Sequence, residues 1–120
     1  MARFGTNLKL TIAAEWRPRV HALFVDVLGA SASEPTADLE IYHLEDGNVG
    51  VYYVGPDETL APGDQRKGVW LEFRTEDPDA AAERLAAHGV ARIDYHDREH
   101  AYFQVPGGPV FRLAGIQQPG

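Results

Sequence analysis

At 120 residues, 44% apolar and 24% charged, the chain holds one domain's worth of material and can bury a core without staples. A formal charge of −7 leaves no basic surface to replace counterions, so neither nucleic acid nor an anionic membrane is expected as a partner. Zero cysteines exclude disulfides, thiolate metal sites and cysteine nucleophiles; with no apolar leader and no apolar run near the ~18 residues of a membrane span, a cytoplasmic protein is expected.

Residues 7 to 14 alternate Leu8, Leu10 and Ile12 with Lys9, Thr11 and Ala13, which writes a strand with two unlike faces. Pro18 opens a helix in which Val20, Leu23, Phe24, Val27 and Leu28 recur at three- and four-residue spacing, and Gly29 stops it. Residues 30 to 36 are small and polar and read as a loop with at most a short edge strand. Residues 38 to 45 and 48 to 54 read as two strands around Asp46-Gly47, a hairpin signal. Residues 55 to 67, with two Pro, two Gly and several charges, read as a linker with a short turn at 57 to 60.

The second half begins with Val69 to Arg74, where Val69, Leu71 and Phe73 are directed to the core. Asp77 stands as N-cap, Pro78 at the first helical position, and Gly89 as a left-handed stop. Residues 91 to 96 read as a strand, and 100 to 105 with 109 to 114 as a hairpin around Pro106-Gly107-Gly108. The tail, 116 to 120, reads as loose. Matching strand parity sets Leu10 on Leu71 and Ile12 on Phe73, an offset of 61; Gly47 and Gly108 also differ by 61, and the stops Gly29 and Gly89 by 60. The order β-α-β-β-β therefore occurs twice. The expected class is α+β, as one domain over 1–120 with module 1 at about 7–54, a linker at about 55–67 and module 2 at about 68–115.

Through LFVDVLGA at 23 to 30, WLEFRTEDPDAAAERLAAHGV at 70 to 90 and YFQVPGGPVFRLAG at 102 to 115, the chain resembles the vicinal oxygen chelate superfamily, the glyoxalase, bleomycin-resistance and extradiol-dioxygenase group. The resemblance covers nearly the whole chain. It implies mixed sheets curved around a concave pocket with helices on the outer face, and chains that pair as homodimers. It also implies, for metal-dependent members, ligands at the start of each module's first strand and in each module's last strand. Those positions fall on Lys9, Trp70, Val51 and Arg112. A divalent cation wants imidazole or carboxylate, and none of these supplies it, so no metal and no cofactor is expected.

The five histidines do not change this. His96 and His100 flank Asp97-Arg98-Glu99 where a hairpin turn is expected; His21 lies on the polar side of the first helix, His43 on a strand, and His88 in the last turn of the second helix, where a cation suits the dipole. No Ser-His-Asp or carboxylate-pair spacing and no phosphate loop stands out.

Strand parity puts Lys9, Thr11, Val51, Tyr53, Trp70, Glu72, Arg74, Val110 and Arg112 on the face away from the helices, an aromatic and cationic pocket with one acid. Two readings stay open for its charges, a ligand site and an ion network that fixes register. The leading function is a metal-free small-molecule-binding protein that sequesters an aromatic or anionic compound. The alternatives are a cofactor-independent lyase or isomerase using Glu72 with Lys9 or Arg112, and an accessory module with a degenerate pocket. A carboxylate between cations is a weak base, which counts against the enzyme.

Overall fold

A computed structural model describes residues 1–116; the reading of 116 to 120 as a loose tail falls, beyond Ile116, outside the described residues. The chain divides into two compact units, Met1–Thr59 and a second that begins at Leu60, and each builds its own mixed sheet. With the helices this is an α+β fold of two modules.

Unit 1 runs β1 (Asn7–Ala13), α1 (Arg17–Ala22) continued by a π turn (Leu23–Val27), β2 (Ser31–Thr36), β3 (Leu39–His43) and β4 (Asn48–Val54), in the sheet order β1-β4-β3-β2. The first strand pairs parallel with the last, and β3 joins β4 by the hairpin that Asp46-Gly47 signals. Gly29 takes a φ of +78°, the left-handed stop that a side chain would strain. The π turn, with Leu28 N–H donating to Leu23 C=O at 3.0 Å, absorbs the one residue by which this helix exceeds its counterpart. Residues 31–36 depart from expectation. They form a six-residue edge strand, exposed throughout, because pairing with β3 satisfies one side of their backbone while small polar side chains tolerate water on the other.

Unit 2 runs β5 (Trp70–Thr75), α2 (Pro78–Ala87), β6 (Ala101–Gln104) and β7 (Val110–Gly115), in the order β5-β7-β6, again with first and last strands parallel. Asp77 caps α2, its carboxylate accepting from Ala80 N–H at 3.1 Å, and Gly89 at φ +78° lets Val90 N–H close back on Leu85 C=O. Residues 91–96 do not make the expected strand. Only Ile93 bridges to Tyr102, since the side chains that follow bond one another in a loop instead of extending the ladder. Val69 is exposed, and Leu71 and Phe73 are half-buried; the weight of this core falls on Phe103, Phe111 and Leu113.

The core of unit 1 is Leu10, Ile12, Val20, Leu23, Phe24, Tyr42, Val49, Val51 and Tyr53, with Phe24 stacked on Tyr42 at 4.6 Å. Within it Glu40 is the one buried charged residue among those described. Tyr42 OH donates to its Oε1 at 2.6 Å, His21 Nδ1 donates to its Oε2 at 2.7 Å, and Arg17 Nε lies 3.5 Å away, so one carboxylate ties α1 to β3. Tyr53 OH completes the chain at 2.7 Å from Tyr42 OH. Burial pushes Tyr42 far up and Tyr53 up to about 12. A tyrosine whose folded value lies above its unfolded value of about 10 stabilises the fold fully below that pH and loses the contribution as pH rises toward 12. Wild type should therefore lose stability between about pH 10 and 12 more steeply than Tyr53→Phe, as followed by denaturant unfolding; parallel curves would detach Tyr53 from this linkage.

Candidate functional site

In unit 2 the parallel register sets Trp70 opposite Val110, Glu72 opposite Arg112 and Arg74 opposite Ala114, and the antiparallel one sets Tyr102 opposite Arg112. These side chains share one face. Leu71, Phe73, Phe103, Phe111 and Leu113 share the other, which is the apolar face that α2, packed on β5 and β7 through Ala81 and Leu85, can cover.

Arg112 organises the polar face. Its Nε and Nη2 each lie 2.8 Å from Glu72 Oε1, its Nη1 lies 3.4 Å from Asp97 Oδ2 and 3.3 Å from Tyr102 OH, and its guanidinium lies over the Trp70 ring at 4.3 Å. Arg74 Nε takes the remaining oxygen of Glu72 at 3.3 Å. Asp97 receives His100 Nδ1 at 2.7 Å, Tyr102 OH at 3.0 Å and the Glu99 backbone N–H at 2.8 Å. The Glu99 N–H, with His100 and Tyr102 behind it, holds the Asp97 carboxyl down to about 2. Burial raises Tyr102, and the Tyr102 hydroxyl and Glu72 raise Arg112 further. Around this network lie aromatic surfaces: Trp70, 41% exposed, meets Tyr102 edge-on, and Tyr95 stacks on Tyr102 at 4.7 Å.

In unit 1, Lys9 and Thr11 lie together, Nζ to Oγ1 at 3.0 Å. The parallel register pairs them with Gly50 and Tyr52, and Lys9 Nζ stands 5.7 Å from the centre of the Tyr52 ring. Val51 and Tyr53 are a correction to the sequence reading. They pair with Leu10 and Ile12 on the face that α1 covers, where both are buried and Arg17 lies over Tyr53 at 4.9 Å. The reason is register: Val51 and Tyr53 stand opposite Leu10 and Ile12, whose side chains are buried, so a count from the hairpin glycines is one residue off for module 1. The residue that corresponds to Arg112 is Tyr52. An open cleft of about 530 Å³ in unit 1 lies elsewhere, beside Glu15, Asp38, Tyr53 and Glu58, and takes in none of Lys9, Thr11 or Tyr52.

The residues do not fit a metal. Where the resemblance implies ligands the chain places Lys9 and Tyr52 in one unit and Trp70 and Arg112 in the other, two cations and two rings. Glu72, the acid of this face in unit 2, is already held by two guanidiniums. His96 and His100 do not converge: His100 is bonded to Asp97, and His96 lies against Tyr95. Among the described residues no group of three or more His, Asp or Glu is placed to hold an ion. Sequence reasoning missed Asp97 and Tyr102 as partners of Arg112. The parity of β6 against β7 could have found Tyr102, whereas Asp97 arrives from a loop.

No protein-family model matches the chain, and no curated protein does. Solved structures do. The fosfomycin resistance protein FosX from Listeria monocytogenes superposes over 100% of this chain and 96% of its own with a TM-score of 0.72 at 15% identity. FosX from Mesorhizobium loti covers 94% and 92%, with a TM-score of 0.70 at 20% identity. A glyoxalase/bleomycin resistance protein from Albidiferax ferrireducens covers 96% and 98%, with a TM-score of 0.66 at 17% identity. At such identities the likeness is one of fold: the chain shares the two-module, glyoxalase-like fold of these proteins. Among the described residues no helix is long and apolar enough to cross a membrane.

Asp97 gives the unit 2 network a pH signature. Its folded value is depressed, so its contribution is present above the unfolded value of about 4 and lost as pH falls toward 2. Wild-type stability should fall more steeply over that window than that of Asp97→Asn. Superimposable acid limbs in thermal unfolding would remove Asp97 from the energetics of the network.

Proposed function

We propose that this chain is a metal-free small-molecule-binding protein whose ligand is sequestered by stacking on aromatic side chains. The observation that carries the reading is the Trp70–Arg112 pair: a half-exposed indole with a guanidinium fixed over it at 4.3 Å, on the sheet face opposite the apolar core. A flat aromatic group gains contact area and a cation–π term from such a pair at little cost in side-chain entropy, because Glu72, Asp97 and Tyr102 already hold the guanidinium still. The same bonds occupy the donors of Arg112, so an anionic group would have to displace a carboxylate there. Lys9 beside Tyr52 offers a second, separate pairing of cation and ring in unit 1. That fold neighbours carry names of resistance to fosfomycin and bleomycin supports a small-molecule ligand. The lyase or isomerase reading draws no support, since both oxygens of Glu72 are already bonded to guanidiniums and neither faces a substrate freely.

The test is calorimetry with a panel of aromatic acids and antibiotics on protein whose metal content has been measured. A ligand should bind without stoichiometric metal, and Trp70→Ala should weaken it by ~1–3 kcal/mol while leaving the melting temperature near wild type. One divalent ion per chain, or binding indifferent to Trp70→Ala, would overturn the reading. We also propose that the protein works as a homodimer, an arrangement that would cover exposed strand edges such as β2. Light scattering at tens of micromolar should give twice the chain mass; a monomer there refutes it.

A further inference from the structure

We propose that Ser33, His43 and Asn48, on the face of the unit 1 sheet away from α1, form a nucleophile, base and positioning group for acyl transfer from small carboxylic esters. Strand pairing assembles them from three strands. His43 stands directly opposite Asn48 across β3 and β4, and Ser33 on β2 is its diagonal neighbour, since Ser31 pairs with His43 and Ser33 with Ile41. Ser33 Oγ lies 2.8 Å from His43 Nε2, and His43 Nδ1 lies 2.8 Å from Asn48 Oδ1.

The direction of the protons follows from one further bond. Asn48 Nδ2 donates to Asn7 Oδ1 at 2.9 Å, so its carbonyl oxygen faces His43. In the tautomer the proposal uses, His43 carries its proton on Nδ1 toward that oxygen and turns the Nε2 lone pair toward the Ser33 hydroxyl. That is the order of hydroxyl, imidazole and orienting oxygen that activates a serine.

The surroundings name the substrate. Leu39 and Ile41, half-buried on the same face as His43, stand beside Gly50 and offer apolar surface on which a short acyl chain could rest. In the reaction the Ser33 Oγ–H proton passes to Nε2 as Oγ bonds the ester carbonyl carbon. The C–O bond to the alcohol then breaks, and the alkoxide leaves as alcohol with the imidazolium proton. Water, losing a proton to Nε2, attacks the acyl-serine; the serine departs with that proton, and a carboxylic acid is released. No oxidant or reductant enters.

The experiment uses the full chain with a fluorophosphonate probe and p-nitrophenyl acetate, and locates adducts by peptide mass spectrometry. Wild type should carry one adduct, on Ser33, and none in Ser33→Ala. His43→Gln should slow labelling about 100-fold, the scale of a lost general base. Asn48→Asp should quicken it about tenfold, because a carboxylate stabilises the imidazolium better than an amide, a gain that a merely structural role would not produce. Ser33 and His43 are exposed, so circular dichroism should be unchanged in these variants. Absence of an adduct on Ser33 in folded wild type, or equal labelling rates in wild type and His43→Gln, overturns the proposal.

Discussion

The parallel pairing of the first with the last strand in each unit is the constraint on which the rest depends. In unit 1 it sets Leu10 beside Val51 and Ile12 beside Tyr53; in unit 2 it sets Leu71 beside Phe111 and Phe73 beside Leu113. Since side chains alternate across a sheet, each apolar pairing also decides which polar residues meet on the reverse: Thr11 with Tyr52, and Glu72 with Arg112. A slip of one residue would expose the core and bury Arg112 at once, so the hydrophobic term holds the site geometry in place.

The two units solve the burial of charge in parallel ways. Glu40 enters the unit 1 core only because Tyr42, His21 and Arg17 meet it there, the last two placed one helical turn apart on the same side of the helical segment. Arg112 sits largely covered because Glu72 faces it across the strand pair and Asp97 approaches from the loop. Losing a partner would leave each largely covered charge with fewer hydrogen bonds, at a cost in stability that the remaining partners only partly offset.

What was legible in the sequence was local. Gly29 and Gly89 as stops, Asp77 as cap, and the hairpin at Asp46-Gly47 each depend on a few neighbouring residues, and so the repeat of two modules could be read from them. The placement of Trp70, Glu72, Arg74 and Arg112 on one face follows from WLEFRT and VFRLA, whose alternation is unambiguous. In VGVYYV it is not: Val51, Tyr52 and Tyr53 can satisfy either face, and only the register with β1 decides. The edge strand β2 was legible as no more than a short edge strand for a related reason, since SASEPT has no buried side to declare itself. Ser33, His43 and Asn48 carry no spacing signal at all, because strand pairing and not sequence distance brings them together.

With the register settled, the units reveal a correspondence that composition conceals. In each, a cation on one of the paired strands lies over a ring on the other, but the roles are exchanged: Lys9 on the first strand over Tyr52 on the last, and Arg112 on the last strand over Trp70 on the first. The diagonal is the same in both, for Thr11 pairs with Tyr52 as Glu72 pairs with Arg112. Where the fold resemblance implies an ion held by side chains from first and last strands, this chain supplies positive charge of its own and an aromatic partner for it. A divalent ion added there would face repulsion from Lys9 or Arg112, and the nearest carboxylates, Glu72 and Asp97, are already bonded to Arg112, so the charge arrangement does not suit a metal. What such a face offers instead is flat apolar area next to fixed positive charge, and under the proposed binding role that combination would select for shape and polarisability in a ligand more than for coordinating oxygen.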